Sequence, residues 1–493
     1  MRISALGMTR LAGIAWDIRR AERASQDAVA RRQRARLAVL VDYARSASPF
    51  YRRLYRDVPD PTTDPAADPV ADLATILAEL PPVGKRELME NFDDWVTDPH
   101  ITLAGLKEDL LGDPTRIGGF YRGQYLVMTT SGSTGEPAVL VHDRNSWLVA
   151  NLLARIRERR TLMTAAETGA FLHRGLRAAA LIADGDHFAG VVLTETARRR
   201  SPHIARRVRV FSVLRPLPEL VAELNDFQPT MLYGYPSAML QLAAEQKAGR
   251  LRIHPVLAVA SGEGLAANGA ADIEAALGCR FTTRYLASEA LALTSRCREG
   301  LFHVNADWYI VEPVDENYQP VPAGELSHTV LVTNLANRVQ PLIRYNLGDR
   351  VQLVPGPCAC GSVFPALRVE GRSGDVLTFA AAGAGAGAGP GAGASAGPGA
   401  GGEMVTVLPL ALGTVIEETA GVRRFQAVRT GPRSLTVRLE LWPEATAADV
   451  RAAVGERLRQ FFADQGADGV DVQFADEPPR PDRSGKFRQV WSA

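Results

Sequence analysis

The sequence predicts an α/β protein with a large layered N-terminal domain and a small α+β C-terminal cap domain. Three observations lead there. From the hydroxyl-rich run that begins at Thr130 onward, short apolar runs alternate with helical patterns, as in strands and helices stacked in layers. The run from Ala380 to Gly402 is Ala, Gly and Pro with one Ser, a composition that buries no core and reads as a flexible tether. Beyond it, a strand–helix–strand pattern reads as a separate unit. The expected boundaries are 1–375 for the large domain, 376–403 for the linker insertion and 404–493 for the small mobile domain.

The elements follow in order. Residues from about 30 to 56 read as a helix ending at Ser48-Pro49, with Leu37, Val41 and Ala44 on one face. A Pro- and Asp-rich loop segment runs to about residue 75. Apolar runs from Tyr125 to Met128 and from Ala138 to Val141 flank Thr130-Ser131-Gly132-Ser133-Thr134-Gly135-Glu136-Pro137. Ala178–Ala183, Arg207–Leu214 and Val256–Ser261 read as strands, and Ser237–Lys247 as a helix with Met239, Leu240, Leu242 and Ala243 on its apolar side. After the Ala/Gly run, Ser434–Trp442 alternates strictly, with Leu435, Val437, Leu439 and Leu441 facing one way. Thr446 then caps a helix with Val450, Val454, Leu458 and Phe461 on one stripe, and Val470–Phe474 is a further strand.

Composition excludes several classes. The 493 residues are 46% hydrophobic, enough for two or more globular domains. Lys and Arg number 56 against 55 Asp and Glu, so no broad field for nucleic acid exists, and Arg198-Arg199-Arg200 with Arg206 and Arg207 reads as a solvated face. The first residues lack a cleavage pattern and run into Arg19-Arg20. The longest apolar stretch, Ala178 to Leu193, is broken by Asp184, Asp186 and His187, short of the roughly 18 residues a membrane span needs. The cytoplasm is the expected compartment, with no membrane and no nucleic acid as partners. Four cysteines in such a chain argue against a disulfide framework.

The hydroxyl-rich run at 130–137 carries the first chemistry. Its glycines allow backbone N–H groups to converge on phosphate oxygens, and its hydroxyls add donors. It is not a Walker loop, because no Lys follows the last Gly. Downstream, in order, come Tyr233-Gly234-Tyr235-Pro236-Ser237, Ser261-Gly262-Glu263, Tyr285-Leu286-Ala287-Ser288-Glu289, Tyr345-Asn346-Leu347-Gly348-Asp349, Gly371-Arg372-Ser373-Gly374-Asp375 and Ser484-Gly485-Lys486. Upstream stand Ser48-Pro49-Phe50-Tyr51 and Leu80-Pro81-Pro82-Val83-Gly84-Lys85, and Pro357-Cys358-Ala359-Cys360-Gly361 lies between the later motifs. Over nearly its whole length the chain resembles the adenylate-forming superfamily of acyl-CoA synthetases, and within it the phenylacetate–CoA ligase branch.

The resemblance implies an adenylate-forming enzyme fold and an ATP-dependent, AMP-forming acid–thiol ligase acting on an aryl or arylacetic acid, with CoA as acceptor. It implies that Thr130, Ser131, Ser133 and Thr134 hold the β- and γ-phosphates, and that Ser261, Gly262 and Glu263 approach adenine. Tyr285 would stack on the base, Ser288 contact the α-phosphate or carboxylate, and Glu289 bind Mg²⁺. Asp349 would accept from the ribose hydroxyls, Arg372 would donate to ribose or phosphate, and Lys486 would bridge carboxylate and α-phosphate in the transition state. Two positions depart from the superfamily pattern: Ala138 stands where a Lys is common, and Gly374 where a first hinge Asp is common.

Two thiols one residue apart can clamp a metal. Cys297, His303, Cys358 and Cys360 make a candidate Cys₃His zinc site, unpaired buried thiols being the other reading; the branch favours structural zinc. Cys279 reads as core. Phe188, Tyr233, Tyr235 and Trp308 are candidates for the acyl pocket. Two rival functions stand beside the ligase: an adenylating enzyme whose acceptor is an amine, a hydroxyl or a carrier protein, and a non-catalytic scaffold. A homodimer is one assembly the reading admits.

Overall fold

Ser25 accepts a hydrogen bond from the Ala28 N–H and so starts the helix Gln26–Ala47, whose Leu37, Val41 and Ala44 are fully buried. Ser48 ends it and caps the next helix, Pro49–Leu54, with Pro at its first position. The computed structural model describes residues 5–59, 69–130, 137–158, 163–184, 186–265, 268–372, 377–381, 404–407, 409–482 and 486–493. A helix, Pro69–Glu79, occupies part of the stretch expected to be loop, because Leu73, Leu77 and the following Leu80 share one buried face. Among the described residues, no helix is long and apolar enough to cross a membrane.

The chain divides into two units. The larger runs through Glu370 and includes Lys486; the smaller comprises Gly371–Asp482 and Phe487–Ala493.

In the larger unit, β1 (Leu126–Thr129) and β2 (Val139–His142) pair antiparallel on either side of the hydroxyl-rich run. Five parallel strands follow: β3 (Ala178–Ile182), β4 (Val208–Ser212), β5 (Met231–Gly234), β6 (Leu257–Ala260) and β7 (Arg280–Thr283), in the order β4-β3-β5-β6-β7. β3 and β6 are buried at every position, as expected of strands covered on both faces. At Gly234 an added Cβ would stand 2.0 Å from the Leu181 carbonyl oxygen, so only glycine lets β5 end this close to β3. The remaining strands are β8 (Thr294–Arg296), β9 (Phe302–Val304), β10 (Tyr309–Val314), β11 (Thr329–Asn334), β12 (Tyr345–Asn346), β13 (Asp349–Leu353) and β14 (Ala366–Arg372). They form two further sheets, β10-β11-β12 and β13-β14-β9-β8.

The smaller unit holds β15 (Leu377–Ala380), β16 (Met404–Val407), β17 (Val422–Gly431), β18 (Ser434–Leu441), β19 (Asp471–Ala475) and β20 (Val490–Ser492), with the helix Ala447–Asp464. The strand order is β19-β18-β17-β20, with Leu435, Val437, Val454 and Leu458 at the centre of the core. The stripe on the helix includes Phe461, partly buried against the core as the spacing suggested, and ends on Phe462, which is 1% exposed because 3.6 residues per turn place 458 and 462 one above the other. Thr446 sits at the N-cap position but makes no side-chain capping bond.

One boundary differs from the sequence reading. β15 and β16 pair antiparallel, Ala380 opposite Met404. The two ends of the Ala/Gly run are therefore neighbours within one hairpin, and the small unit begins at Gly371, ahead of the run and not after it. Residues 382–403 themselves lie outside the described residues. Because both flanking strands belong to the same unit, the run does not set the reach between units. Shortening it to about five residues should leave the melting temperature unchanged or slightly raised, since each halving of a loop returns about 0.6 kcal/mol of closure entropy. Differential scanning calorimetry checks this; a fall of several degrees would mean that the run packs against the unit.

Candidate functional site

Ligands of parallel α/β sheets bind beyond the carboxyl ends of the strands. Three motifs leave such ends side by side. Tyr235 follows β5, Ser261-Gly262-Glu263 follows β6, and Tyr285 to Glu289 follows β7. The ladder continues into them: the Tyr235 N–H donates to Leu181 O, Ser261 N–H to Gly234 O at 2.9 Å, and Arg284 N–H to Ala260 O at 2.8 Å. Gly262 then turns with φ +89°, a conformation that favours glycine. Glu263 is committed locally, its carboxylate accepting from the Ser237 N–H at the start of the helix Pro236–Lys247.

The Tyr285–Glu289 turn is held from three directions. The Tyr285 hydroxyl donates to Asp349 Oδ2 at 2.9 Å, joining two motifs 64 residues apart. The Tyr345 hydroxyl donates to Glu289 Oε1 at 3.1 Å, and Asn334 Nδ2 donates to the Glu289 carbonyl at 3.0 Å. His142, at the end of β2, reaches the Ser288 carbonyl with Nε2 at 2.9 Å. That carbonyl only accepts, so Nε2 carries the proton; burial pushes the His142 pKa down, against this hydrogen bond and the nearby Asp143, which both raise it.

β2 leads back toward the hydroxyl-rich run and is itself clamped. Gln340 accepts from the Val141 N–H and donates to Val139 O, substituting for a neighbouring strand, while Asn337 donates to Val141 O. At the start of the run, the Thr130 side chain accepts from the Ala138 N–H at 2.9 Å. Ser131, Ser133 and Thr134 lie outside the described residues.

The upstream motifs serve the same segment. Tyr51 Oη donates to Pro341 O and accepts from Ile343 N–H, and Trp95 Nε1 donates to Pro341 O at 2.6 Å. Val83 bridges to Tyr345 through its N–H on Arg344 O and its carbonyl on Asn346 N–H. Arg344 is left-handed at φ +50°, fixed by its N–H on Thr333 Oγ1 and its guanidinium on Glu312 and Leu80 O. That strained residue directly precedes Tyr345, the donor to Glu289.

Of the acyl-pocket candidates, Tyr233 spends its hydroxyl on Thr194 Oγ1 at 2.8 Å. Trp308 lies beneath the Arg36 guanidinium, 3.6 Å from the ring centroid, so that face is taken. Phe188 bridges to Thr129 at the end of β1, and Tyr235 is 8% exposed. Arg372 closes β14 and belongs to the smaller unit. His142, Asn334, Asn337 and Gln340 went unread in the sequence. Their only mark there is a polar residue at the edge of an apolar run.

Cys297, His303, Cys358 and Cys360 converge, with all four ligand atoms within 4.8 Å of one another. Cys297 Sγ is 3.9 Å from Cys358 Sγ, and Cys360 Sγ is 3.2 Å from His303 Nε2. Thiolates around a tetrahedral zinc stand about 3.8 Å apart, while a disulfide needs about 2.05 Å. His303 Nδ1 donates to Phe364 O at 2.7 Å, which leaves Nε2 with its lone pair toward the cluster. The Cys360 N–H draws the Cys358 thiol below its ordinary pKa, while burial pushes the Cys360 thiol up to about 11. The donor set fits zinc, and it ties the loop before β14 to the β8–β9 hairpin. Cys279 is buried away from it, with burial pushing its thiol up to about 12.

No family model and no curated protein matches the chain. Solved structures do. 2-Hydroxyisobutyryl-CoA ligase in the postadenylation state, in complex with 2-HIB-AMP, gives a TM-score of 0.59 at 19% identity, over 94% of this chain and 88% of that one. The chain has the adenylate-forming fold. The same ligase in an open conformation with 2-HIB-AMP and CoA gives 0.52 at 18% identity, over 94% and 90%. In its thioesterification state it gives 0.50 at 20%, over 93% and 88%. Within the adenylate-forming fold, the parallel strands β5, β6 and β7 carry the motif turns described above.

Proposed function

We propose that this chain is an ATP-dependent, AMP-forming carboxylate ligase that adenylates an acid and passes the acyl group to CoA. The observation that carries this reading is the Tyr285–Asp349 hydrogen bond: two motifs far apart in sequence meet beside the carboxyl ends of β6 and β7, where an adenosine would lie. The held geometry of Glu289 supports it.

A carboxylate oxygen attacks the α-phosphorus of ATP and pyrophosphate leaves. Asp349 takes the ribose hydroxyls, Tyr285 offers its ring to the base, and Ser261 and Gly262 let the base lie against backbone. Thr130, Ser131, Ser133 and Thr134 hold the β- and γ-phosphates, and Ser288 meets the α-phosphate or carboxylate. Glu289 would hold Mg²⁺, a hard cation that prefers carboxylate and phosphate oxygens. Arg372 donates to ribose or phosphate, and Lys486 neutralises charge in the transition state. The CoA thiol then attacks the acyl carbonyl and AMP leaves.

An aryl or arylacetic acid is the proposed substrate, on the motif resemblance; the shared fold with 2-hydroxyisobutyryl-CoA ligase makes short hydroxy acids the necessary second arm of any panel. Pyrophosphate release measured across aromatic and short hydroxy acids, with and without CoA, tests the reading. Release with an aromatic acid and acyl-CoA formation support it. Adenylation that ignores CoA overturns the acceptor, and no release with any acid overturns the function.

We assign Cys297, His303, Cys358 and Cys360 to one structural zinc. Protein purified without added zinc should carry close to one equivalent by elemental analysis, and Cys358→Ser should lower the melting temperature by at least about 5 °C. A metal-free protein whose Cys358→Ser variant melts normally would exclude the assignment.

A further inference from the structure

Lys486 lies in a loop whose two stems, at Arg480 and Arg488, belong to the smaller unit. One side chain grips both. Gln426, mid-way along β17 and 2% exposed, donates through Nε2 to Arg480 O at 2.7 Å and to Arg488 O at 3.0 Å. Its Oε1 accepts from the Arg480 N–H at 3.0 Å. The next residue continues the grip, Ala427 N–H donating to Gln489 O at 2.7 Å.

The incoming stem is Pro478-Pro479-Arg480-Pro481, in which Arg480 has the one backbone N–H. Gln426 takes that N–H and the carbonyl of the same residue. The outgoing stem is held beside it: Phe487 is buried, with the Arg424 guanidinium 4.7 Å from its ring centroid. A glutamine flanked in its strand by Phe425 and Ala427, 1% and 0% exposed, occupies a place that an apolar residue would fill more cheaply. Its three hydrogen bonds all go to the base of one loop, which binds the loop's entry and exit at a fixed separation.

We propose that Gln426 is a positioning residue: it fixes the base of the 480–488 loop and thereby the place of the Lys486 ammonium. The proposal rests on the reading that Lys486 acts in adenylation. Misplacing a catalytic group by about 1 Å through a distant substitution can cost roughly two orders of magnitude.

The test is Gln426→Met, similar in length and without polar atoms. Single-turnover adenylate formation should slow at least about tenfold, with half-saturation for ATP and acid within about twofold. Trypsin should cut the 480–488 loop at least about tenfold faster in the folded protein. In a Lys486→Ala background, Gln426→Met should slow adenylation no further, because the group being positioned is gone.

Where Gln426→Met does not fold, Arg480→Pro, which removes the side chain and the gripped N–H, is compared with Arg480→Ala, which removes the side chain and keeps the N–H. The proline variant should show the slowing and the faster cleavage, the alanine variant neither. Adenylation within twofold of wild type, unchanged cleavage, or an equal further slowing in the Lys486→Ala background overturns the proposal. Wild-type protein that forms no adenylate with any acid overturns the functional reading instead, and trypsin then decides the grip alone, unchanged cleavage overturning it.

Discussion

Replacing Lys486 with alanine is expected to slow acyl-adenylate formation by at least about two orders of magnitude while leaving ATP affinity within a few-fold. The argument is one of timing. In the ground state the acid carboxylate and the α-phosphate are separate anions, each with its own neutralising groups. In the transition state their charges meet on one phosphorus, and an ammonium between them is worth most at that moment. Single-turnover kinetics of pyrophosphate release, beside equilibrium binding of ATP, separates the two quantities. Near wild-type adenylation by Lys486→Ala would remove this residue from the chemistry.

Glu289→Gln is expected to have a comparable effect by another route. The carboxylate is 7% exposed, and Oε1 already accepts from Tyr345. The amide keeps the volume and can keep that hydrogen bond, so the turn should survive and the melting temperature should move little. What it loses is the negative charge that a hard dication requires. Adenylation should fall at least about a hundredfold at saturating ATP, with the Mg²⁺ concentration for half-maximal rate shifted upward. An unchanged Mg²⁺ dependence would place the metal elsewhere.

Much of this architecture was legible in the residues because its cause is local. β3 reads as a strand because an unbroken apolar run suits a sheet covered on both faces, and Ser48-Pro49 reads as a helix boundary because a hydroxyl cap and a proline leave few alternatives. Cys358 and Cys360 drew attention because thiol spacing is itself chemistry, and the structure brings them together with Cys297 and His303. The unread features depend on partners remote in sequence. Gln340 completes β2 from 199 residues away, and nothing in a lone glutamine says that it replaces a strand. Gln426 is equally silent, its partners being 54 and 62 residues downstream. The Ala/Gly run reads as having no core to offer, and its residues 382–403 lie outside the described residues. Its role as a tether was misjudged because Leu377–Ala380 and Met404–Val407 are four-residue strands, too short to announce a pairing across so wide a gap.

That pairing makes the run a place where the gene can be opened. A polypeptide spliced between Ala381 and Met404 enters and leaves at adjacent points, so an inserted domain with closely spaced termini need not pry the hairpin apart. A fluorescent protein carried there would ride on the smaller unit, and its signal would report on that unit alone.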